Sequence, residues 1–215
     1  MQYGGEDITL EKTRCVFEYN ADNMLTLYRF FDEEYQESYA VEIEYTDKRP
    51  SKITEKEYWD DEESLYQRRV FAVTYTGGGM YVNLTDTSGI HGLDVELTVN
   101  SAGRMYRSYN LYWGDEILYQ YDANGNYMGI TGHDYDIFEY DISKSGIFAN
   151  TATPNWVPTY CGFWIGFFCP NLLVKNNDTV IEWTDLNQDG YYTKMTEIYD
   201  DGDRAEYMIK YITTK

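Results

Sequence analysis

The sequence predicts an all-β fold, an antiparallel meander of hairpins curled into a half-open or closed barrel. Three observations predict it: apolar and polar residues alternate at period two, turns led by Asn or Asp separate the alternating runs, and tyrosine is heavily over-represented. The 215 residues include 24 tyrosines, and aromatics make up 18% of the chain. Tyrosine suits a strand, where the ring is half buried and the hydroxyl still reaches water or a partner.

The alternation is read directly. Val41, Ile43 and Tyr45 alternate with Glu42, Glu44 and Thr46. Leu93, Val95, Leu97 and Val99 alternate with Asp94, Glu96 and Thr98, and the same rule holds for Phe71-Val73-Tyr75, Ile117-Tyr119-Tyr121 and Tyr207-Ile209-Tyr211. Successive strand side chains point to opposite faces, so each run offers one face to a core. The best helix candidate is Glu55 to Arg69, where Tyr58, Trp59, Leu65 and Tyr66 could share a face.

The turns repeat a theme. Asn20-Ala21-Asp22-Asn23, Asn100-Ser101-Ala102-Gly103, Asp122-Ala123-Asn124-Gly125 and Asp185-Leu186-Asn187-Gln188-Asp189-Gly190 each follow a strand-like run. Asn and Asp start a turn by bonding their own backbone, and Gly supplies the positive φ that closes it. Repeated hairpins imply a meander in which sequence neighbours are sheet neighbours. The chain length suits a sandwich or barrel folding as one unit, so the reading is a single domain over 1–215. A two-sheet β-sandwich is the alternative.

One segment breaks the pattern. From Ser145 to Val174 there are 30 residues without a charge. Pro154, Pro158, Pro170, Gly162 and Gly166 interrupt any membrane-spanning helix there. The segment is expected to fold over the sheet and close its core, with Trp164, Ile165, Phe167 and Leu172 buried. Trp156, Trp164, Phe167 and Phe168 are its candidate plug or ligand-contacting side chains, the other option being an exposed aromatic loop.

The formal charge is −20. Such a chain repels a phosphate backbone and an anionic bilayer, so nucleic-acid and anionic-membrane partners are disfavoured. The acid runs 32–34, 60–63 and 200–203 read as solvated loops, with a cation-binding rim as the other reading. Cys161 and Cys169 could close a short loop, leaving Cys15 unpaired, and no ligand-spaced pair suggests zinc. Met1–Asp7 has neither a basic start nor an apolar core, and a mature secreted chain would read the same.

The C-terminal third adds a resemblance. It runs through Ile147-Phe148-Ala149, Asn171-Leu172-Leu173, Lys175-Asn176-Asn177, a strand over 180–184, and Asp189-Gly190-Tyr191-Tyr192-Thr193-Lys194-Met195-Thr196. This resembles a family classed as secreted lipoproteins of Gram-negative gut commensals, a domain of unknown function with a porin-like β fold. The hairpins also look like the tyrosine–aspartate repeats of large secreted bacterial proteins. Glu182-Trp183-Thr184 departs from the family's Tyr-rich strand. The resemblance implies an exported chain, periplasmic or at the cell surface, with a lipid-anchor cysteine upstream. It implies no catalytic residue.

Among chemical motifs, Asp185-x-Asn187-x-Asp189-Gly190 matches the first half of a calcium loop. Position twelve is Thr196, not the bidentate glutamate, and the loop joins strands. The expectation is a hairpin turn with no cofactor, and calcium on Asp185, Asn187 and Asp189 is the alternative. His91 and His133 read as loop histidines, although His133 with Asp134 and Asp136 could hold a metal. Gly77-Gly78-Gly79 lacks the Lys-Ser/Thr of a phosphate loop, and no nucleophile motif is present. The functional expectation is a non-enzymatic envelope module that binds a glycan or peptide through aromatic surface or acts as a scaffold. An acid-pair glycoside hydrolase or other hydrolase is the alternative.

Overall fold

A computed structural model of the chain describes residues 10–32, 36–58, 65–89, 92–131, 137–161 and 169–213. Among the described residues fifteen strands form one sheet: β1 (Leu10–Tyr19), β2 (Leu25–Phe31), β3 (Glu37–Thr46), β4 (Arg49–Tyr58), β5 (Leu65–Thr76), β6 (Tyr81–Asp86), β7 (Val95–Val99), β8 (Met105–Asn110), β9 (Glu116–Tyr121), β10 (Tyr127–Ile130), β11 (Phe138–Ser145), β12 (Asn171–Asn176), β13 (Thr179–Leu186), β14 (Tyr192–Ile198) and β15 (Arg204–Thr213). Every strand from β1 to β10 and from β11 to β15 pairs antiparallel with the next. With an odd number of alternating strands, the first and last run the same way. They therefore join in parallel, with Leu10 opposite Arg204 and Tyr19 opposite Thr213. The result is a nearly closed barrel with one unsealed seam, between β10 and β11. The sandwich alternative is excluded, since the wall is one continuous sheet.

Side chains stitch that seam where no backbone ladder does. The Tyr140 hydroxyl donates to the Tyr127 carbonyl at 2.8 Å, and the Tyr127 N–H donates to Cys169 Sγ at 3.1 Å. Asn126 and Asn171 exchange two bonds at 3.1 Å. The three cysteines are free thiols and buried, so Cys161 and Cys169 do not close a loop.

The alternating runs read from the sequence point inward as a set. Ile43 lies opposite Ile53, Ile53 opposite Phe71, Val73 opposite Leu84, and Val82 opposite Leu97, all of them in the core. The helix expected over Glu55 to Arg69 is not formed. Glu55–Tyr58 ends β4 and Leu65–Arg69 begins β5, with Lys56 opposite Arg68 across the ladder, while 59–64 lies outside the described residues. Glu55–Glu57 pair with β3 on one side and β5 on the other, and this period-two register outweighs a four-residue helical stripe.

Fifteen strands enclose more space than wall side chains can fill. The uncharged segment supplies the missing volume. Ile147, Phe148, Trp156, Val157 and Cys161 are buried in the same core as the wall residues. A short helix, α1 (Trp156–Tyr160), carries the deepest of them. The Phe148 ring packs on Phe17 at 4.5 Å, and Tyr160 meets Phe71 edge-on at 5.7 Å. Backbone bonds fasten this cap to the strand ends: Ala152 N–H to Asn23 O at 2.8 Å and Trp156 N–H to Gly103 O at 3.0 Å. Among the described residues no helix is long and apolar enough to cross a membrane.

Candidate functional site: the capped rim

Alternating strand direction puts the β1–β2, β3–β4, β5–β6, β7–β8, β9–β10, β11–β12 and β13–β14 connections at one end of the barrel. The cap is the β11–β12 connection, so the turns surround it. Four of these turns share one geometry. Asn20 Oδ1 accepts the N–H groups of Asp22 and Met24, Asn100 Oδ1 those of Ala102 and Arg104, and Asn187 Oδ1 those of Asp189 and Tyr191, all at 2.9–3.0 Å. Asp122 takes the Asn126 N–H at 2.8 Å in the same way. The fourth turn residue has positive φ each time: Asn23, Gly103, Gly125 and Gly190. Asn23 stands where the others have glycine because asparagine tolerates the left-handed region.

Part of the tyrosine excess has a structural role that composition did not reveal. Inward aromatics on β3, β5, β9, β11, β13 and β15 each donate to a carbonyl on the preceding strand. The pairs are Tyr45 to Leu25, Tyr75 to Pro50, Tyr121 to Met105, Tyr140 to Tyr127, Trp183 to Leu173 and Tyr211 to Tyr192, at 2.6–3.0 Å. Trp183, the departure from a Tyr-rich strand, performs the tyrosines' task through its indole N–H. Burial pushes the Tyr45, Tyr121 and Tyr211 phenols up, so they remain donors.

Clefts open where the cap meets the rim, and two of them are lined by described residues. The first, about 160 Å³, is lined by Tyr19, Tyr191 and Tyr211 together with Asn23, Asn150, Asn187 and Asp189. The Tyr191 and Tyr211 rings lie 5.4 Å apart, and Tyr191 is 37% exposed. Asn187 spends its oxygen on the turn, which leaves its Nδ2 for a ligand. That Nδ2, the Asn150 side chain, the Asp189 carboxylate and the Tyr191 hydroxyl have no hydrogen-bond partner among the described residues. The second, about 560 Å³ and more open, is lined by residues of the β3–β4, β5–β6 and β7–β8 ends with Pro154 and Trp156 of the cap.

The residues named from the sequence fall in three places. Asn187 and Asp189 border the first cleft. Asp185 is the penultimate residue of β13, at φ +58°, where its carbonyl accepts the Thr193 hydroxyl. Trp156 is buried in the cap at 2% exposure, as is Leu172 in β12. Trp164, Ile165, Phe167, Phe168, His91 and His133 lie outside the described residues. Among the described residues no group of three or more His, Cys, Asp or Glu side chains is placed to hold a metal.

Reasoning from sequence missed the ionisable groups of the inner wall. Glu55 has a side-chain exposure of 7% and lies 3.3 Å from Arg69 Nε, whose Nη2 is 3.8 Å from Glu57. Burial raises the Glu55 carboxyl above its ordinary range, with Arg69 opposing and Glu57 adding. Burial raises Glu197 likewise, against hydroxyls donated by Tyr199 and Tyr207 at 3.0 Å. The signal was present, since Glu55 and Glu57 share the inward phase of Ile53.

No family model and no curated protein matches the chain in sequence. Among solved structures it is similar to a porin-like protein from Bacteroides uniformis ATCC 8492, at 13% identity over 87% of this chain and 90% of that one, with a TM-score of 0.39. At that TM-score the likeness carries no inference about function.

Proposed function

We propose that this barrel is a non-catalytic binding module of the cell envelope that takes a glycan in the cleft beside Tyr191. The observation that carries the reading is the makeup of that cleft: a part-exposed tyrosine ring beside amide and carboxylate groups that the fold leaves unbonded. A sugar ring stacks on an aromatic face, while its hydroxyls both donate and accept. Asn150 and Asn187 offer amides, and Asp189 offers acceptors. Export, and a lipid anchor upstream, are supported by the resemblance of the C-terminal third.

The test is a titration of glycan and peptide panels against the parent and Tyr191→Ala. The reading expects saturable binding of a neutral oligosaccharide, weakened at least about tenfold in the variant, the scale of losing one good aromatic contact. A peptide as the tighter ligand, or no effect of the variant, would contradict it. The reading uses no cation. A thermal midpoint raised by excess calcium in the parent but not in Asp185→Ala would restore the calcium alternative.

The hydrolase alternative keeps one observation, the Glu55 and Glu57 carboxylates about Arg69. An acid pair must flank the scissile bond. The lining of the two rim clefts includes one carboxylate, Asp189. Reducing ends released from a bound oligosaccharide, and lost in Glu55→Gln, would favour the enzyme.

A further inference from the structure

The second cleft carries chemistry of its own. It shares no lining residue with the first, and its lining includes Arg49 and no carboxylate. In a chain of net charge −20 that is a local reversal of sign. Neighbouring cations are paired: Lys48 of the β3–β4 turn with Asp22 at 2.8 Å and Lys52 of β4 with Glu44 at 2.6 Å. Arg49 has no carboxylate partner among the described residues, and its guanidinium lies 5.4 Å above the centroid of the Tyr75 ring. Tyr75 is itself fixed by its bond to the Pro50 carbonyl at 3.0 Å. The guanidinium is therefore held by a stacking surface while its N–H fork stays open to an acceptor.

The rest of the groove is neutral. Gly78 and Gly79, at φ +72° and +96°, leave backbone bare along one side, and a Cβ at Gly78 would meet nothing within 4 Å. Asn100 gives its oxygen to the turn, which leaves its Nδ2 without an acceptor among the described residues. Tyr106, 45% exposed, adds an aromatic edge. About 560 Å³ falls in the usual range for a small-ligand site.

We infer that this groove binds a saccharide bearing a carboxylate, a uronate unit whose acid group meets Arg49 and whose ring lies against the tyrosines. One cation among neutral donors and aromatic carbons matches one charge per sugar ring. A run of acidic peptide would bring several charges to a single partner and to a chain that already repels them. Arginine and carboxylate meet through two parallel N–H···O bonds, which gives the site its selectivity. The inference goes beyond the Tyr191 cleft and does not depend on it.

The experiment titrates the intact chain with cellobiouronic acid, with cellobiose, which differs by having a hydroxymethyl group in place of the acid, and with acetyl-Gly-Glu amide. The expected result is saturable binding of the uronate, at least about tenfold tighter than cellobiose, the scale of one charge-assisted bond. Arg49→Gln should erase that difference with the thermal midpoint unchanged, since the side chain is exposed. Tyr191→Ala should leave uronate binding intact, which separates failure of this site from failure of the first. If Arg49→Gln is poorly folded, Tyr106→Ala serves in its place and should weaken uronate binding. Equal affinity for cellobiose, absence of saturable uronate binding, or insensitivity to Arg49→Gln in a folded variant overturns the inference. Dipeptide binding as tight as the uronate overturns it in favour of an acidic peptide.

Discussion

On the inner face of β4, Ile53 sits between Ile43 and Phe71, fully buried; one residue earlier, on the outer face, Lys52 reaches Glu44. The same contrast recurs along much of the wall, with the Glu55–Arg69 pair and the Glu197 carboxyl as inward exceptions. Inside are aliphatic pairs and aromatics whose hydroxyl or indole N–H groups tie neighbouring strands. Outside are cross-strand ion pairs: Lys56 with Glu42, Arg107 with Glu96 and Glu116, Lys194 with Glu206, and Lys175 with Glu139. A transmembrane barrel has the opposite arrangement, an apolar outer band and a polar lumen. Cohesion in this molecule therefore comes from the lumen and the cap that fills it, while the outer charges keep the wall hydrated.

That contrast predicts a graded set of effects. The largest belongs to the cap. Trp156→Ala should cost about 3–5 kcal/mol in denaturant unfolding, the usual cost of truncating a buried aromatic. A midpoint shift within error would mean that the lumen is not closed by this segment. Next come the hydroxyl links. Tyr45→Phe strands the buried Leu25 carbonyl and should cost about 1–3 kcal/mol. If it is neutral, the tyrosine excess has a different cause.

A third effect depends on pH. Because burial raises the Glu197 carboxyl above its ordinary value of 4.5, the folded state favours the protonated form. Its contribution to stability is full below that value and is lost as pH rises through the folded pKa. Glu197→Gln should therefore flatten part of the decline in stability above pH 4.5 and leave the acid side unchanged. Parallel pH profiles for parent and variant would place the carboxyl in water. The smallest effect lies outside: Lys52→Ala should change stability by no more than about 0.5 kcal/mol, because exposed ion pairs are screened by solvent. A loss as large as that of Tyr45→Phe would erase the distinction between the two faces.

The strands and turns were legible because their signals are local. The alternation of Val41-Ile43-Tyr45 marks a face, and the Asn100 and Asp122 turns show their acceptor and their glycine within a few residues. Glu55 to Arg69 misled because Tyr58, Trp59, Leu65 and Tyr66 mimic a helical stripe, while the ladder partners that decide the matter lie on β3 and β5. The roles of Tyr45 and Trp183 depend on a carbonyl one strand away. Arg49 was invisible as a site because what singles it out, Tyr75 beneath it and no carboxylate partner among the described residues, is assembled only by the barrel's end.

Wall aromatics hold the fold, and rim aromatics are proposed to hold the ligand. The most direct measurement is a paired one, unfolding midpoint and oligosaccharide affinity for Tyr45→Phe and Tyr191→Ala against the parent. The account predicts a lowered midpoint with unchanged affinity for Tyr45→Phe, and an unchanged midpoint with affinity lowered at least about tenfold for Tyr191→Ala. Loss of binding in Tyr45→Phe together with full binding in Tyr191→Ala would contradict it.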